Sequence, residues 1–191
     1  MSINSRELIN QINELRSNPF KYGTKIDKYR SYIKMQKDEN GNEFPVLRLP
    51  KVSGVRLQEG DEAFKEAAEF LKTKVDSAPP MDERPALNKI AEDFVDASKD
   101  LEPEKIKDIN MDDIIKKYGG YTGSFSRAME FGAETAEQVI VSLIVSDGDK
   151  SRGKRETLLN PKLLQVGAAA GRHKIFGSVS AIILCSEFIN K

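Results

Sequence analysis

The spacing of apolar residues changes once along this 191-residue chain, and that change limits the folds open to it. Up to residue 146 the apolar positions fall at helical intervals. Past residue 163 they run together and include β-branched residues. Helices first and strands last argue against the regular alternation of a parallel α/β fold and predict an α+β protein.

The first helix carries Leu8, Ile9, Ile12 and Leu15 on one face, with Asn4 or Ser5 as its cap and Asn18-Pro19 as its stop. A weaker helical pattern of aromatic and basic residues runs from Phe20 to Met35. Lys37 to Asn42 reads as a turn, and Glu43 to Glu59, with Pro45 and Pro50, as an extended excursion over the surface. Phe64, Ala67, Ala68 and Leu71 predict a helix from Asp61 to about Val75. Pro85 opens another that reaches Lys99, with Leu87, Ile90, Ala91, Phe94 and Val95 as its buried stripe. Asn110 caps a short helix over Met111 to Tyr118, and the three glycines between Gly119 and Ser126 predict a loop. Thr135 caps a helix bearing Val139, Ile140, Leu143 and Ile144, which ends at the turn from Ser146 to Asp149. Leu164 to Ala169 and Phe176 to Phe188 predict two strands joined by a hairpin at Gly171 to Lys174.

Length and composition predict one domain over residues 1–191. Thirty basic residues balance thirty acidic ones, so no global field draws the chain to nucleic acid or to an anionic membrane. Arg6, Glu7 and Glu14 interrupt what would have to be the apolar stretch of a secretory signal, and no long apolar run follows. The expectation is a cytoplasmic protein without a membrane span. The lone cysteine, Cys185, lies in an apolar run and is expected to be a buried small hydrophobe. The lone histidine, His173, is expected at the surface of the hairpin.

The stretch from Val139 to Pro161, with Ser151-Arg-Gly-Lys-Arg155 and Leu159-Asn-Pro161, followed by Val166-Gly-Ala-Ala-Ala-Gly171 and Phe176-Gly177, resembles the carboxyl-terminal half of bacterial-type CAP domains (cysteine-rich secretory, antigen 5, pathogenesis-related 1). Asn13-x-x-Arg16-x-x-Pro19 resembles the opening helix of that family, and Glu59 to Leu71 resembles a glutamate-glycine helix start in the same branch. The resemblance implies an α-β-α sandwich with a small central antiparallel sheet. It also implies a cavity in which two histidines and two acidic residues hold a divalent cation.

Matched to that pattern, this chain keeps at most one carboxylate, which alone is not a site. Phe94, or Ala97 one turn away, stands for the first histidine; Arg127 for the first glutamate; Ser146 or Asp147 for the second acid; and Lys154 for the second histidine. A chain with one histidine cannot build a two-histidine site, so no metal and no cofactor is expected. Hydrolase chemistry would need His173 to meet Ser98, Ser126 or Cys185 with no supporting motif, so no enzyme is expected.

Lys150, Arg152, Lys154 and Arg155 are the candidate partner-binding cations, on a loop from Asp147 to Glu156 whose charges are expected to be exposed. Arg152 alone has a structural alternative, because the resembling motif keeps it. The aromatic and basic patch from Phe20 to Tyr32 is a second candidate for protein contact. The functional expectation is therefore a non-enzymatic interaction scaffold for another protein, including a structural accessory of a cytoskeletal or ciliary assembly. A carrier of a small lipid or other apolar ligand comes second, and a displaced hydrolase third.

Overall fold

The computed structural model of the chain describes residues 3–191. Within them the elements run α1 (Ser5–Ser17), α2 (Pro19–Arg30), β1 (Ile33–Lys37), β2 (Glu43–Leu47), β3 (Val55–Arg56) and α3 (Asp61–Thr73). These are followed by β4 (Asp82–Glu83), α4 (Pro85–Ser98), α5 (Pro103–Ile106), α6 (Met111–Tyr118) and β5 (Gly119–Phe131). The last four are α7 (Ala136–Val145), α8 (Gly153–Leu159), β6 (Gln165–His173) and β7 (Gly177–Asn190).

Local chemistry sets most helix ends. The Asn4 side chain accepts from Glu7 N at 3.2 Å and starts α1. Asn18 serves two helices, since its N–H closes α1 on Glu14 O and its side chain accepts from Lys21 N to open α2, with Pro19 in the first turn. Thr135 and Gln138 form a reciprocal capping box at the head of α7, and Asn110 caps α6.

The larger sheet has the order β4-β6-β7-β5, with both main pairings antiparallel and the two-residue β4 parallel to β6. Alternation along β7 sends its side chains to both faces. Val179, Ala181, Ile183 and Cys185 pack with Leu87, Ile90 and Phe94 of α4 and with α6, while Ile182 and Leu184 join the core built by α1, α3 and α7. Helices cover both faces, so the fold is an α-β-α sandwich of the α+β class. Gly167 lets α4 lie tight on β6: a Cβ there would sit 2.1 Å from the Leu87 carbonyl carbon, so any other residue pushes the layers apart. A smaller antiparallel sheet, β1-β2-β3, stands beside this sandwich.

Several expectations need correction. Gly119 to Ser126 is strand, not loop, because it pairs with the far end of β7, with an irregularity between Thr122 and Phe125 where Gly123 takes φ +74°. The β6–β7 turn lies at residues 174–176, later than the Gly171–Lys174 hairpin. The excursion from Glu43 to Glu59 carries β2 and β3, the second helix stops at Arg30, and the loop from Asp147 to Glu156 contains the start of α8. Among the described residues no helix is long and apolar enough to cross a membrane.

Candidate functional site

The residues that carry the sequence resemblance are joints of the fold. Arg16 is fully buried and donates to four carbonyls: Nε to Pro79 O at 2.8 Å, Nη1 to Leu158 O at 3.0 Å and Asn160 O at 2.9 Å, and Nη2 to Leu163 O at 3.1 Å. The opening helix is thereby clasped to the Leu-Asn-Pro segment. Asn13 adds a two-way bond with the backbone of Met81, at 2.8 and 3.1 Å.

The segment from Asp147 to Arg155 is knotted to the start of α3 in the same way. Asp147 accepts from three successive amides, Gln58 N at 2.6 Å, Glu59 N at 2.8 Å and Gly60 N at 3.2 Å. Arg152, in the left-handed region at φ +54°, forks onto Glu59 at 2.8 and 3.0 Å and also donates to Ser146 O at 2.7 Å. That fork holds the Glu59 carboxyl below the usual carboxylate range. Arg155 is 2% exposed, donates to Ile144 O at 2.7 Å and forks onto Glu66 at 2.7 Å on both arms. Arg155 is therefore not a free cation, and Arg152 takes its structural alternative. Only Lys150 and Lys154 of the four candidate cations are exposed.

A cavity of about 550 Å³ opens between the segment 47–58 and the layer formed by α7 and the end of β5. Tyr29, Leu47, Leu57, Phe64, Val141 and Val145 give it an apolar wall. Its polar lining is mostly committed elsewhere. Glu134 accepts from Ser53 N at 2.9 Å, Gln138 closes the α7 cap, Ser146 Oγ donates to Leu143 O at 2.7 Å, and Asp147 holds the amides just described. Glu130, Ser142 and Lys154 remain, together with the side chains of Ser53, Arg56 and Gln58.

Glu130 is the residue that sequence reasoning missed. Strand alternation puts Ala128 of β5 into the core on the α7 side, while Arg127 and Met129 turn to the α4 side. Glu130 has the parity of Ala128 and lines the cavity with Ser142 and Lys154. Burial pushes its carboxyl up to about 7, against the opposing pull of the Ser142 hydroxyl and the Lys154 ammonium.

The four positions matched to the metal tetrad therefore divide. Asp147 and Lys154 line the cavity. Arg127 and Phe94 lie across the sheet from it, where the guanidinium sits 4.6 Å from the centre of the buried Phe94 ring. Arg127 Nη1 is buried there without a hydrogen-bond partner, and desolvation lowers the pKa of that guanidinium. Arg127, matched to the first glutamate, thus does not face the cavity; the carboxylate on that strand is Glu130, three residues on. Among the described residues no group of three or more His, Cys, Asp or Glu side chains is placed to hold a metal.

His173 is also not a surface residue. It is 3% exposed; Nε2 lies 3.1 Å from Leu101 O, and Nδ1 accepts from Ile175 N at 3.2 Å and Phe176 N at 3.3 Å. Nδ1 is spent on closing the β6–β7 turn and Nε2 on tying it to the segment after α4. Cys185 is buried as expected, and desolvation raises its thiol to about 11.

No family model and no curated protein matches the chain. Two solved structures are similar to it in shape. A cysteine-rich secretory protein from Staphylococcus aureus gives a TM-score of 0.45 at 12% identity, covering 87% of this chain and 70% of that one. An outer surface protein from Borrelia burgdorferi gives 0.36 at 14% identity, covering 68% of this chain and 94% of the other. At these TM-scores neither likeness carries an argument about family or function.

Proposed function

We propose that the chain is a CAP-type domain without enzymatic activity, and that its task is to hold a small, largely apolar ligand in the cavity between segment 47–58 and α7. One observation carries this reading: a cavity of about 550 Å³ with an apolar wall, in which Tyr29, Glu134, Gln138, Ser146, Asp147 and Asp149 are already committed to partners within the protein. The CAP assignment rests on the sequence motifs together with the sandwich they clasp. The absence of catalysis is supported by His173 and Cys185, neither of which is free to act: the imidazole closes a turn, and the thiol is buried with a raised pKa.

Binding of the neutral fluorophore N-phenyl-1-naphthylamine tests the proposal. We expect saturable, stoichiometric fluorescence enhancement in the native protein. Ser142→Phe, which fills the cavity from α7, should abolish it while leaving the melting temperature nearly unchanged. A native protein that does not bind the probe overturns the reading.

Protein contact is the second reading, favoured by the exposure of Lys150 and Lys154 and by Phe20, which is 62% exposed on α2. No feature of the described residues points to a cytoskeletal or ciliary partner, and none is proposed. The balanced charge supports the absence of a nucleic-acid partner.

A further inference from the structure

The charges around the cavity say what kind of apolar molecule it would accept. Its lining holds four carboxylates, on Glu130, Glu134, Asp147 and Asp149, against two cations, on Arg56 and Lys154. Arg56 is drawn aside, its guanidinium 4.2 Å from the centre of the Phe44 ring. Glu134, Asp147 and Asp149 are already met by backbone or hydroxyl donors. Glu130 has the Ser142 hydroxyl and the Phe131 backbone beside it, but among the described residues no cation stands within ion-pair distance of its carboxyl. An enclosed carboxylate without a counter-charge is costly in its charged form, and either a proton or a cation relieves that cost.

We propose that the cavity selects an organic ammonium: a ligand whose apolar body lies against Leu47, Leu57, Phe64 and Val141 and whose cationic head pairs with Glu130. This deepens the small-ligand reading and rests on it. The ammonium supplies the neutralising charge that Glu130 lacks, and the excess of negative charge in the wall disfavours an anionic amphiphile of the same length. Lys154, on an exposed and flexible stem at the rim, is a competitor for the same carboxylate rather than a ligand contact. Binding of the cation requires the ionised carboxyl, so affinity should fall as the pH drops through about 7, the value to which burial raises Glu130.

The test displaces N-phenyl-1-naphthylamine with octylammonium, octanol and octanoate at about pH 8.5 and about pH 5.5, conditions on either side of the carboxyl's titration. At the higher pH octylammonium should compete at least about tenfold better than octanol, and octanoate worst. At the lower pH the advantage of the amine should shrink to about twofold. Glu130→Gln should remove that advantage while leaving octanol unchanged. Lys154→Gln should strengthen octylammonium and weaken octanoate further, which keeps the test decisive even where Glu130→Gln folds poorly.

If octanoate or octanol competes as well as the amine, or if Lys154→Gln weakens the amine, the ammonium proposal is wrong and the cavity reading stands. Failure of the fluorophore itself to bind removes both. Binding of the fluorophore that none of the three octyl compounds displaces overturns the ammonium proposal alone.

Discussion

Glu130 is the residue on which most of this chemistry turns, and it makes a statement about stability as well. Its carboxyl moves from the ordinary 4.5 to about 7 on folding, so the folded chain binds that proton more tightly than the unfolded one does. The group therefore costs nothing below about 4.5. Its penalty grows as the pH rises from there to 7 and is complete above that. A shift of this size corresponds to about 3 kcal/mol at most. Glu130→Gln should accordingly melt at nearly the wild-type temperature near pH 4.5 and several degrees higher near pH 8, as followed by circular dichroism. A variant with the same offset at both pH values would contradict the placement of the carboxyl. Asp147 and Lys154 could be matched to cavity positions from sequence because both lie in a motif with fixed spacing. Glu130 could not, because the glycines before Ser126 read as loop and hide the strand that continues through it, and strand parity is what separates Arg127 from Glu130. His173 was misplaced for a related reason: nothing in the string indicates that both ring nitrogens will be consumed by backbone three residues away and seventy-two residues away.

At the scale of elements, the joint between α3, α7 and α8 separates cations that look alike in sequence. Arg155 enters the interior and reaches out to Glu66 at the surface, while Lys154 beside it faces outward. Removing the Arg155 side chain leaves a hole in the interior and the Ile144 carbonyl without its donor, so Arg155→Ala should cost about 2 kcal/mol or more in chemical denaturation. Lys150→Ala should cost well under about 1 kcal/mol, because its charge is exposed. Equal losses for the two would mean that the arginine is not in the core. Reversing Lys150, Lys154 and Arg155 together cannot leave stability unchanged, as an exposed basic loop would allow. The stripes of α1, α3, α4 and α7 follow directly from apolar spacing, because a helix makes its hydrogen bonds within itself and buries one face. The strand at Gly119 and the small sheet β1-β2-β3 do not. Their bonds go to partners that only the finished chain supplies, and glycine-rich or proline-bearing strings give no local sign of them.

At the scale of the whole molecule, the larger sheet divides two hydrophobic cores, and of its strands β7 contributes most to the two together. β7 sits inside the four-stranded sheet, bonded to β5 on one side and β6 on the other, and each face of it closes a different core. A chain cut after Phe176 keeps every helix and loses the floor of both cores. It should show no dispersed amide spectrum in NMR, whereas the intact chain should. Dispersed signals from the fragment would mean that one helical layer is stable by itself.

β7 also follows every other element of the fold in chain order, and the Arg16 clasp joins positions up to 147 residues apart. During synthesis, then, the helices emerge with their apolar stripes formed and nothing to set them against. The earliest moment at which this domain can leave the unfolded ensemble is the release of its final strand from the ribosomal tunnel. Until that moment it is a client for whatever in the cell shields exposed apolar surface.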